Sequence, residues 1–375
     1  MAAMDKTEFG KTTVFLSKKG EVYRIPALYY NEDEKKLYAI AEKRTTAQDS
    51  DAVALVMKIG TVRDDNSKRT VEWTENEEVL MKKCSCGYRP MNPCLLFEKH
   101  TGTLFLFFVY VKNTESWQKK HHCNMARPCY IRKRTKDSQW SEFTDLTDQL
   151  PEIHCWSVLA VGPGHGLQTD NGTMIVPAYA YTGPKDKPPV PNSFFFCSDD
   201  KGKTWRISKM VKKVSLECEM VEVIDDNRKK VIYCNARNEG GLRVQATVGQ
   251  NSSAELKQSP ILVETGKGCQ GSLVSFPAQP AAAHTNQVNK WLLFSHPTSK
   301  DERLNLGVYL NKTASRFDPL AWKQLGVIND GPSGYSDLAY IGDGWFACLV
   351  ECGKECCTEQ IACILFTYDE LKPGI

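Results

Sequence analysis

The sequence predicts an all-β protein that folds as a six-bladed β-propeller. One unit recurs six times along the 375 residues: a strand, a polar turn and a second strand, both strands with period-two alternation. Trp73, Trp140 and Trp205 are 67 and 65 residues apart, and each lies between one unit and the next, which predicts one outer strand with a tryptophan in each blade. Trp322 follows about two repeats later. No long amphipathic helical pattern interrupts these units.

The six strand pairs justify the blade count. Their second strands are spaced by 54 to 70 residues, and turn residues such as those of 169–172 and 342–344 separate the two strands of a pair. The fifth pair is joined by a long polar segment, 277–290. In chain order the pairs occupy residues 23–41, 92–110, 160–181, 217–237, 271–295 and 335–351. Radial repetition of such units protects the sheet edges, whereas a large β-sandwich explains neither the count nor the tryptophan spacing.

One octapeptide, Ser198-Asp199-Asp200-Lys201-Gly202-Lys203-Thr204-Trp205, predicts a tight turn between the third and fourth pairs. Its hydroxyl and carboxylate side chains can bond nearby backbone N–H groups, glycine supplies a positive φ, and the tryptophan packs beneath the turn. Residues 134–140 look like a degraded copy. We therefore expect this octapeptide to have a structural role and to stabilise one blade.

Composition excludes several classes of protein. The net charge of +3 implies no nucleic-acid partner. Residues 1–15 lack the pattern of a signal peptide, and the longest apolar run, 104–111, is too short to span a bilayer. We expect one domain over 1–375, with a core of about 14–368, that is cytoplasmic or peripherally attached to a membrane.

Fifteen cysteines without a secretory signal favour reduced thiols over a disulfide framework. They cluster at Cys352, Cys356, Cys357 and Cys363, with a second group at 84 and 86. No Cys-x-x-Cys pair or matching histidine spacing supports zinc, so we expect no metal and no cofactor.

Polar residues collect where the first strand of each pair begins and the second ends. Antiparallel pairing places these positions at one end of a blade. They are Arg24, Arg44, Asp49, Glu115, Tyr179, Tyr181, Glu217, Arg237, Arg303, Tyr335 and Glu351. Converging arginines favour a carboxylate or phosphate ligand, and the chain lacks a glycine-rich phosphate loop. Carboxylates such as Asp49 and Glu217 beside the arginines then suggest acid–base chemistry on a glycoside.

Two motifs resemble those of the animal exo-α-sialidases, or neuraminidases. Tyr23-Arg24-Ile25-Pro26 is similar to their Arg-Ile-Pro motif, and residues 198–205 are similar to their Asp box. Further similar stretches in the same order are 91–94, 101–108, 160–166, 176–179, 268–272, 296–298 and 334–338. The resemblance extends over about residues 14–368.

The resemblance implies a role for each site residue. Arg24, Arg237 and Arg303 would bind the carboxylate of sialic acid, with Glu351 orienting Arg24. Tyr335 would be the nucleophile, Glu217 its base and Asp49 the acid/base residue, which follows Arg44 by five positions. Glu222 competes with Glu217 for its role, although the Leu-Glu-Cys context favours Glu217. Glu115, Tyr179 and Tyr181 would line the glycerol and N-acyl pockets.

The chemistry of the substrate explains a tyrosine nucleophile. Sialic acid carries a carboxylate on its anomeric carbon, so an attacking Asp or Glu would meet like charge, whereas a neutral phenol avoids much of this cost.

Residues 351–361 are similar to the plasma-membrane-associated branch that prefers gangliosides, and the compact length resembles the cytosolic branch. A sialic-acid-binding propeller without turnover is the alternative, although it has little reason to hold Asp49, Glu217 and Tyr335 together.

Overall fold

Twenty-six β-strands dominate the structure, a computed structural model that describes residues 9–65, 68–278 and 290–371. These residues contain one α-helix, α1 (Glu115–His121). Four 3₁₀ helices cover Asp49–Asp51, Thr147–Gln149, Pro151–Cys155 and Ala314–Arg316. The strands pair into six blades, almost all antiparallel, which confirms the predicted all-β six-bladed propeller.

The first three blades follow the chain. The opening strand is β1 (Gly10–Leu16). Blade I holds β2 (Val22–Asn31), β3 (Lys36–Arg44), β4 (Ala52–Asp65), β5 (Lys68–Trp73) and β6 (Glu78–Lys82). Blade II holds β7 (Arg89–Glu98), β8 (Thr103–Val111), β9 (Ala126–Arg134) and β10 (Thr144–Asp145), and a short later strand pairs in parallel with β7 in the same sheet. Blade III holds β11 (Val158–Val161), β13 (Leu167–Gln168), β14 (Met174–Thr182), β15 (Val190–Ser198) and β16 (Arg206–Ile207). Between β11 and β13 the chain forms β12 (Gly164–His165), the strand that joins the sheet of blade II.

The remaining blades close the ring. Blade IV holds β17 (Cys218–Ile224), β18 (Lys230–Ala236), β19 (Val244–Val248) and β20 (Ser253–Glu255). Blades V and VI hold β21 (Ser272–Pro277), β22 (Lys290–Pro297), β23 (Leu304–Asn311), β24 (Lys323–Tyr340), β25 (Trp345–Cys352) and β26 (Gln360–Thr367). The first part of β24 pairs with β23, and its second part pairs with β25. Strand β1 pairs with β26 and so completes blade VI with the N-terminal segment.

Hydrophobic clusters between neighbouring blades form the core. All nine residues of β8 are buried because blades pack against both of its faces. The ring of Trp205 meets that of Phe107 edge to face, with centroids 4.9 Å apart, and so joins blade III to blade II. First strands of adjacent blades, such as β2, β7 and β24, contact one another around the axis. Their starts therefore lie together at one end of the propeller.

The Asp box forms the predicted self-bonded turn. Asp200 accepts hydrogen bonds from the backbone N–H groups of Lys203 and Thr204 at 3.1 and 2.9 Å, and Ser198 accepts from Gly202 N at 2.9 Å. Lys201 and Gly202 both adopt a positive φ. These hydrogen bonds lower the pKa of Asp200 to about 2 although burial opposes them.

The structure corrects two expectations. Of the tryptophans expected on outer strands, Trp73 lies on β5, whereas Trp205 and Trp322 directly precede β16 and β24, and Trp140 lies in the connection between β9 and β10. Cys84 and Cys86 form a disulfide, because a turn in which Cys84 N bonds to Tyr88 O brings their Cα atoms to 5.2 Å. This pair contradicts the expectation of reduced thiols, whereas the other thirteen cysteines are free. Most of the polar segment predicted at 277–290 lies outside the described residues.

Candidate active site

A cleft of about 550 Å³ opens at the end of the propeller where the first strands begin. This volume suits a small-molecule ligand. Ten of the eleven predicted site residues line it: Arg24, Arg44, Asp49, Glu115, Tyr179, Tyr181, Glu217, Arg237, Arg303 and Tyr335. Glu351 lies behind Arg24. The competitor Glu222 does not line this cleft, since its carboxylate accepts from Asp170 N at the other end of the propeller.

Tyr335 lies on β24 at a bulge. The pairing of β24 with β25 shifts register between Ser333 and Ser336, and such a bulge re-aims a side chain. Its hydroxyl donates a short hydrogen bond to Glu217, a residue that directly precedes β17. Burial raises the pKa of Tyr335 well above its ordinary value, and Glu217 adds to this effect against the opposing Arg237 and Arg303. At neutral pH the phenol therefore keeps its proton and has a carboxylate acceptor beside it.

Arg24 is held by the fully buried carboxylate of Glu351. Two parallel hydrogen bonds of 3.0 and 3.1 Å join the guanidinium to this carboxylate. Glu351 also accepts from the backbone N–H groups of Ile25 at 2.8 Å and Tyr335 at 3.2 Å. Ile25, a β-branched residue, has a φ of 57° at a bulge in β2, and this strained conformation brings its N–H to Glu351. The arginine is therefore fixed before any ligand arrives.

Arg237 and Arg303 complete a set of three arginines around the ring of Tyr335. Arg237 donates to Glu217 at 2.7 Å and to Tyr335 Oη at 3.1 Å. The guanidinium carbons of Arg24 and Arg303 lie 5.5 and 5.2 Å from the centroid of the Tyr335 ring. Backbone carbonyls of one loop bind the other ends of two arginines: Lys267 O accepts from Arg237, and Gly268 O accepts from Arg303, both at 3.0 Å.

Asp49 stands at the rim of the cleft. It begins a 3₁₀ helix, its side chain is 69% exposed, and Arg44 donates to it at 2.7 Å. Arg44 is itself fully buried, and its Nε donates to Glu42 at 2.8 Å. The other oxygen of Glu42 accepts from Asn92 N at 2.6 Å, at a bulge in β7. The carboxylate of Asp49 thus faces solvent, while the buried pair of Arg44 and Glu42 holds it in place.

Helix α1 and strand β14 form one wall of the cleft. Tyr179 and Tyr181 are buried next to each other, with ring centroids 6.4 Å apart. Glu115 begins α1, where Thr114 caps the helix by accepting from Trp117 N. Burial raises the pKa of Tyr181, and the nearby Glu115 carboxylate adds to this effect. The wall therefore presents a carboxylate at the edge of an aromatic surface.

Sequence reasoning missed Glu42 and Arg89. Arg89 donates to Asp49 O at 3.0 Å and to Lys112 O at 2.8 Å, and so it ties the 3₁₀ helix to the end of β8. It begins β7 three residues before the predicted start at 92, which is why the strand-end rule passed over it. Glu42 lies two residues before Arg44 on β3 and therefore on the same face. This spacing of two residues along one strand was the signal that could have identified Glu42 from the sequence.

A separate ionic cluster lies on the propeller axis. His165 Nδ1 is 2.7 Å from Asp337 Oδ1, and its Nε2 is 3.3 Å from Glu219 Oε2. Among the described residues, these three form the one group whose ligand atoms are close enough to hold a metal ion. Backbone N–H groups already occupy both carboxylates: Leu28 N donates to Asp337, and Leu273 N donates to Glu219. Burial opposes a charge on His165, but the two carboxylates raise its pKa to about 10.

Comparison with known proteins identifies the family. A family model described as a BNR repeat-like domain matches residues 35–348. Sialidase-3 of Bos taurus is 37% identical over an alignment of 401 positions, which covers 94% of this chain and 91% of the relative. The chain belongs to the animal sialidases. Sialidase-2 of Cricetulus griseus is 39% identical, covering 94% of both chains, and sialidase-4 of Mus musculus is 31% identical. The protein is a glycoside hydrolase of the exo-α-sialidase class.

Solved sialidase structures share the fold. Trypanosoma rangeli sialidase superposes with a TM-score of 0.73 at 18% identity, covering 96% of this chain and 60% of that chain. The intramolecular trans-sialidase from Ruminococcus gnavus gives 0.70 at 14% identity, with 99% and 100% covered. No helix within the described ranges is both long and apolar enough to cross a bilayer.

Proposed function

We propose that this sialidase is a retaining enzyme that removes terminal sialic acids from gangliosides, glycoproteins and oligosaccharides. The observation that carries the proposal is the contact of Tyr335 Oη with both Glu217 and Arg237 at the base of the cleft. A nucleophile, its base and a cationic anchor are in direct contact there.

Binding would begin with the substrate carboxylate between Arg24, Arg237 and Arg303. Three pre-oriented guanidinium groups can provide charge-assisted and bidentate hydrogen bonds, which hold the anomeric carbon in front of Tyr335. The remaining substituents of the sugar would meet Glu115 and the rings of Tyr179 and Tyr181. The exposed position of Asp49 leaves the attached glycan directed towards solvent.

The reaction would proceed in two displacements. In the first, Tyr335 Oη bonds to the anomeric carbon and its proton passes to Glu217, while the bond to the leaving oxygen breaks and Asp49, in its acid form, protonates that oxygen. In the second, the Asp49 carboxylate takes a proton from water, whose oxygen bonds to the anomeric carbon. The bond to Tyr335 breaks, and Glu217 returns the proton to the phenolate. Two inversions at one carbon give net retention.

The raised pKa of Tyr335 agrees with this sequence. A buried phenol that keeps its proton at neutral pH places no negative charge next to the substrate carboxylate before attack. Arg237 contacts both Tyr335 and Glu217, so it can stabilise whichever of the two carries the charge as the proton moves.

A sialic-acid-binding propeller without turnover is the second candidate, because three arginines alone would suffice for binding. Incubating the purified protein with a fluorogenic sialoside at mildly acidic pH separates the two. We expect release of the fluorophore and, by NMR, sialic acid that first appears as the α anomer. Bound sialic acid without release would favour the binding protein instead.

Substrate class and location follow as a second part of the proposal. Their support is the resemblance of residues 351–361 to the ganglioside-preferring branch, and the proposal places the protein in the cytoplasm, at a membrane surface, or both. Assays on ganglioside micelles and on a soluble sialyl-oligosaccharide, with fractionation of cells, test it. Exclusive turnover of the soluble substrate would contradict the ganglioside assignment.

A further inference from the structure

A fully buried ionic cluster lies directly behind two of the cleft arginines. Arg243, Glu264 and His296 are each at most 1% exposed. Glu264 accepts from Arg243 at 3.0 Å and from His296 Nε2 at 2.8 Å. None of the three lines the cleft, and the proposed reaction uses none of them. Their place in the fold is therefore unexplained by the chemistry of Tyr335, Glu217 and Asp49.

The same carboxylate binds backbone on both sides of the arginine pair. Glu264 accepts from Asn238 N at 3.0 Å, one residue after Arg237. It also accepts from Thr265 N and Cys269 N, both at 3.1 Å. These last two bonds close the loop 265–269 at its two ends. A single side chain thus connects the end of blade IV to the loop that precedes blade V.

This loop supplies the carbonyls that hold the arginines. Lys267 O accepts from Arg237, and Gly268 O accepts from Arg303, and the latter is the one protein acceptor of Arg303 within the described ranges. A guanidinium whose rear donors are held by fixed acceptors keeps its other donors aimed at a ligand. Displacing the loop would therefore take a fixed acceptor away from both arginines.

The loop has no space to adjust. A Cβ built on Gly268 would lie 2.1 Å from Asn238 O and 2.7 Å from Arg237 Nε, and Gly268 has a φ of +87°. Only glycine allows this approach of backbone to the arginine side chain. Arg243 also binds the loop directly, since its guanidinium donates to Cys269 O at 2.6 Å.

We infer that Glu264 is a positioning residue that aims Arg237 and Arg303 at the substrate carboxylate by fixing the loop 265–269. The inference rests on the proposed function, since it assigns the carboxylate to those arginines. Its charge is matched to the task. Burial raises the pKa of Glu264, but Arg243 and His296 outweigh burial and lower it, so the residue remains an acceptor for all five donors.

The test compares Glu264→Gln with a matched control, Glu98→Gln. Glu98 is likewise fully buried and accepts from the backbone N–H groups of His100 at 2.9 Å and Thr101 at 2.7 Å, but it is the last residue of β7 and does not line the cleft. Gly268→Ala is the second variant, because it moves the loop without removing a buried charge. Each variant is measured for thermal unfolding, for KM and kcat on a fluorogenic sialoside, and for binding of a 2,3-unsaturated sialic acid analogue by calorimetry.

We expect Glu264→Gln and Gly268→Ala to raise KM and weaken the analogue about tenfold, equal to about 1.4 kcal/mol, with a much smaller change in kcat. Glu98→Gln should lose thermal stability but keep the KM and the analogue affinity of the parent protein. This difference between the variants distinguishes a positioning role from a purely structural one, because a folding defect lowers the amount of active enzyme and leaves KM unchanged.

Two results would overturn the inference: a folded Glu264→Gln with the parent KM and affinity, or an equal loss of affinity in Glu98→Gln. If Glu264→Gln does not fold, Gly268→Ala decides, and parent-like affinity in that variant rejects a role for the loop. If the parent protein binds the analogue but releases no fluorophore, the proposed function fails while the aiming of the arginines is still measured by calorimetry.

Discussion

Replacing Glu351 with glutamine tests how the first arginine is held. Four hydrogen bonds converge on this fully buried carboxylate, two from Arg24 and one each from the backbone of Ile25 and Tyr335. Glutamine keeps the shape but turns one acceptor into a donor that faces these N–H groups. The Arg24 guanidinium, only 13% exposed, then loses its counter-charge.

The expected cost follows from removing one partner of a buried ion pair, about 3–5 kcal/mol. For 375 residues, an unfolding entropy of about 2.1 cal/mol/K per residue amounts to about 0.8 kcal/mol/K. A loss of about 4 kcal/mol therefore lowers Tm by about 5 °C. Differential scanning calorimetry at pH 7 measures this shift. Glu355→Gln, an exposed position in the same segment, is the control for loss of charge alone and should leave Tm unchanged.

The pH dependence gives a second check with a definite sign. Burial alone would raise the pKa of Glu351, but Arg24 outweighs burial and lowers it. A folded pKa below the unfolded value means that the stabilisation is full above about pH 4.3 and is lost as pH falls through the folded pKa. The Tm difference between parent and variant should therefore shrink in acid. A difference below about 1 °C at pH 7, or one that persists unchanged in acid, would refute the reasoning.

Three further predictions concern the cleft and the axis. Tyr335→Phe should lower kcat on a fluorogenic sialoside by about 10³-fold or more while calorimetry still detects binding of the unsaturated analogue, and near-normal turnover would exclude Tyr335 as the nucleophile. Arg303→Ala should raise KM about 10- to 100-fold because it removes charge-assisted contacts worth about 1.5–3 kcal/mol, with a smaller effect on kcat, and an unchanged KM would contradict carboxylate binding. His165→Gln should cost about 3 kcal/mol at pH 6 by urea unfolding. The folded pKa of His165 is raised to about 10, so the advantage of the parent protein should fade as pH rises from about 6.5 to 10, and a difference independent of pH would refute a charged His165.

Much of the fold could be predicted because its signals are local. Alternating hydrophobicity and turn residues mark each strand pair, and every predicted pair falls on paired strands of the structure. The Asp box was predictable for the same reason, since all its defining hydrogen bonds form between residues at most four positions apart. The prediction of an outer strand at Trp140 was wrong because the turn residues before it have diverged from the Asp box, and a tryptophan alone does not specify a strand.

The candidate site was predictable to the extent that strand ends share one end of a blade. That rule assembled the residues that now line one cleft. It could not reach Arg89, because a strand boundary was misplaced by three residues. Nor could it identify the carbonyls of Lys267 and Gly268 as partners of the arginines, since any residue type carries a carbonyl.

By itself the sequence determined the propeller, its blade count and the end at which polar residues gather, because these depend on periodicity and chain order. Only the tertiary structure decided which groups stand behind the cleft residues, such as Glu264 beside the arginine pair and Arg89 beneath Asp49, and that Cys84 and Cys86 form a disulfide. The physical reason is distance and direction. A hydrogen bond requires donor and acceptor within about 3 Å and in line, and no pattern along the chain specifies that geometry.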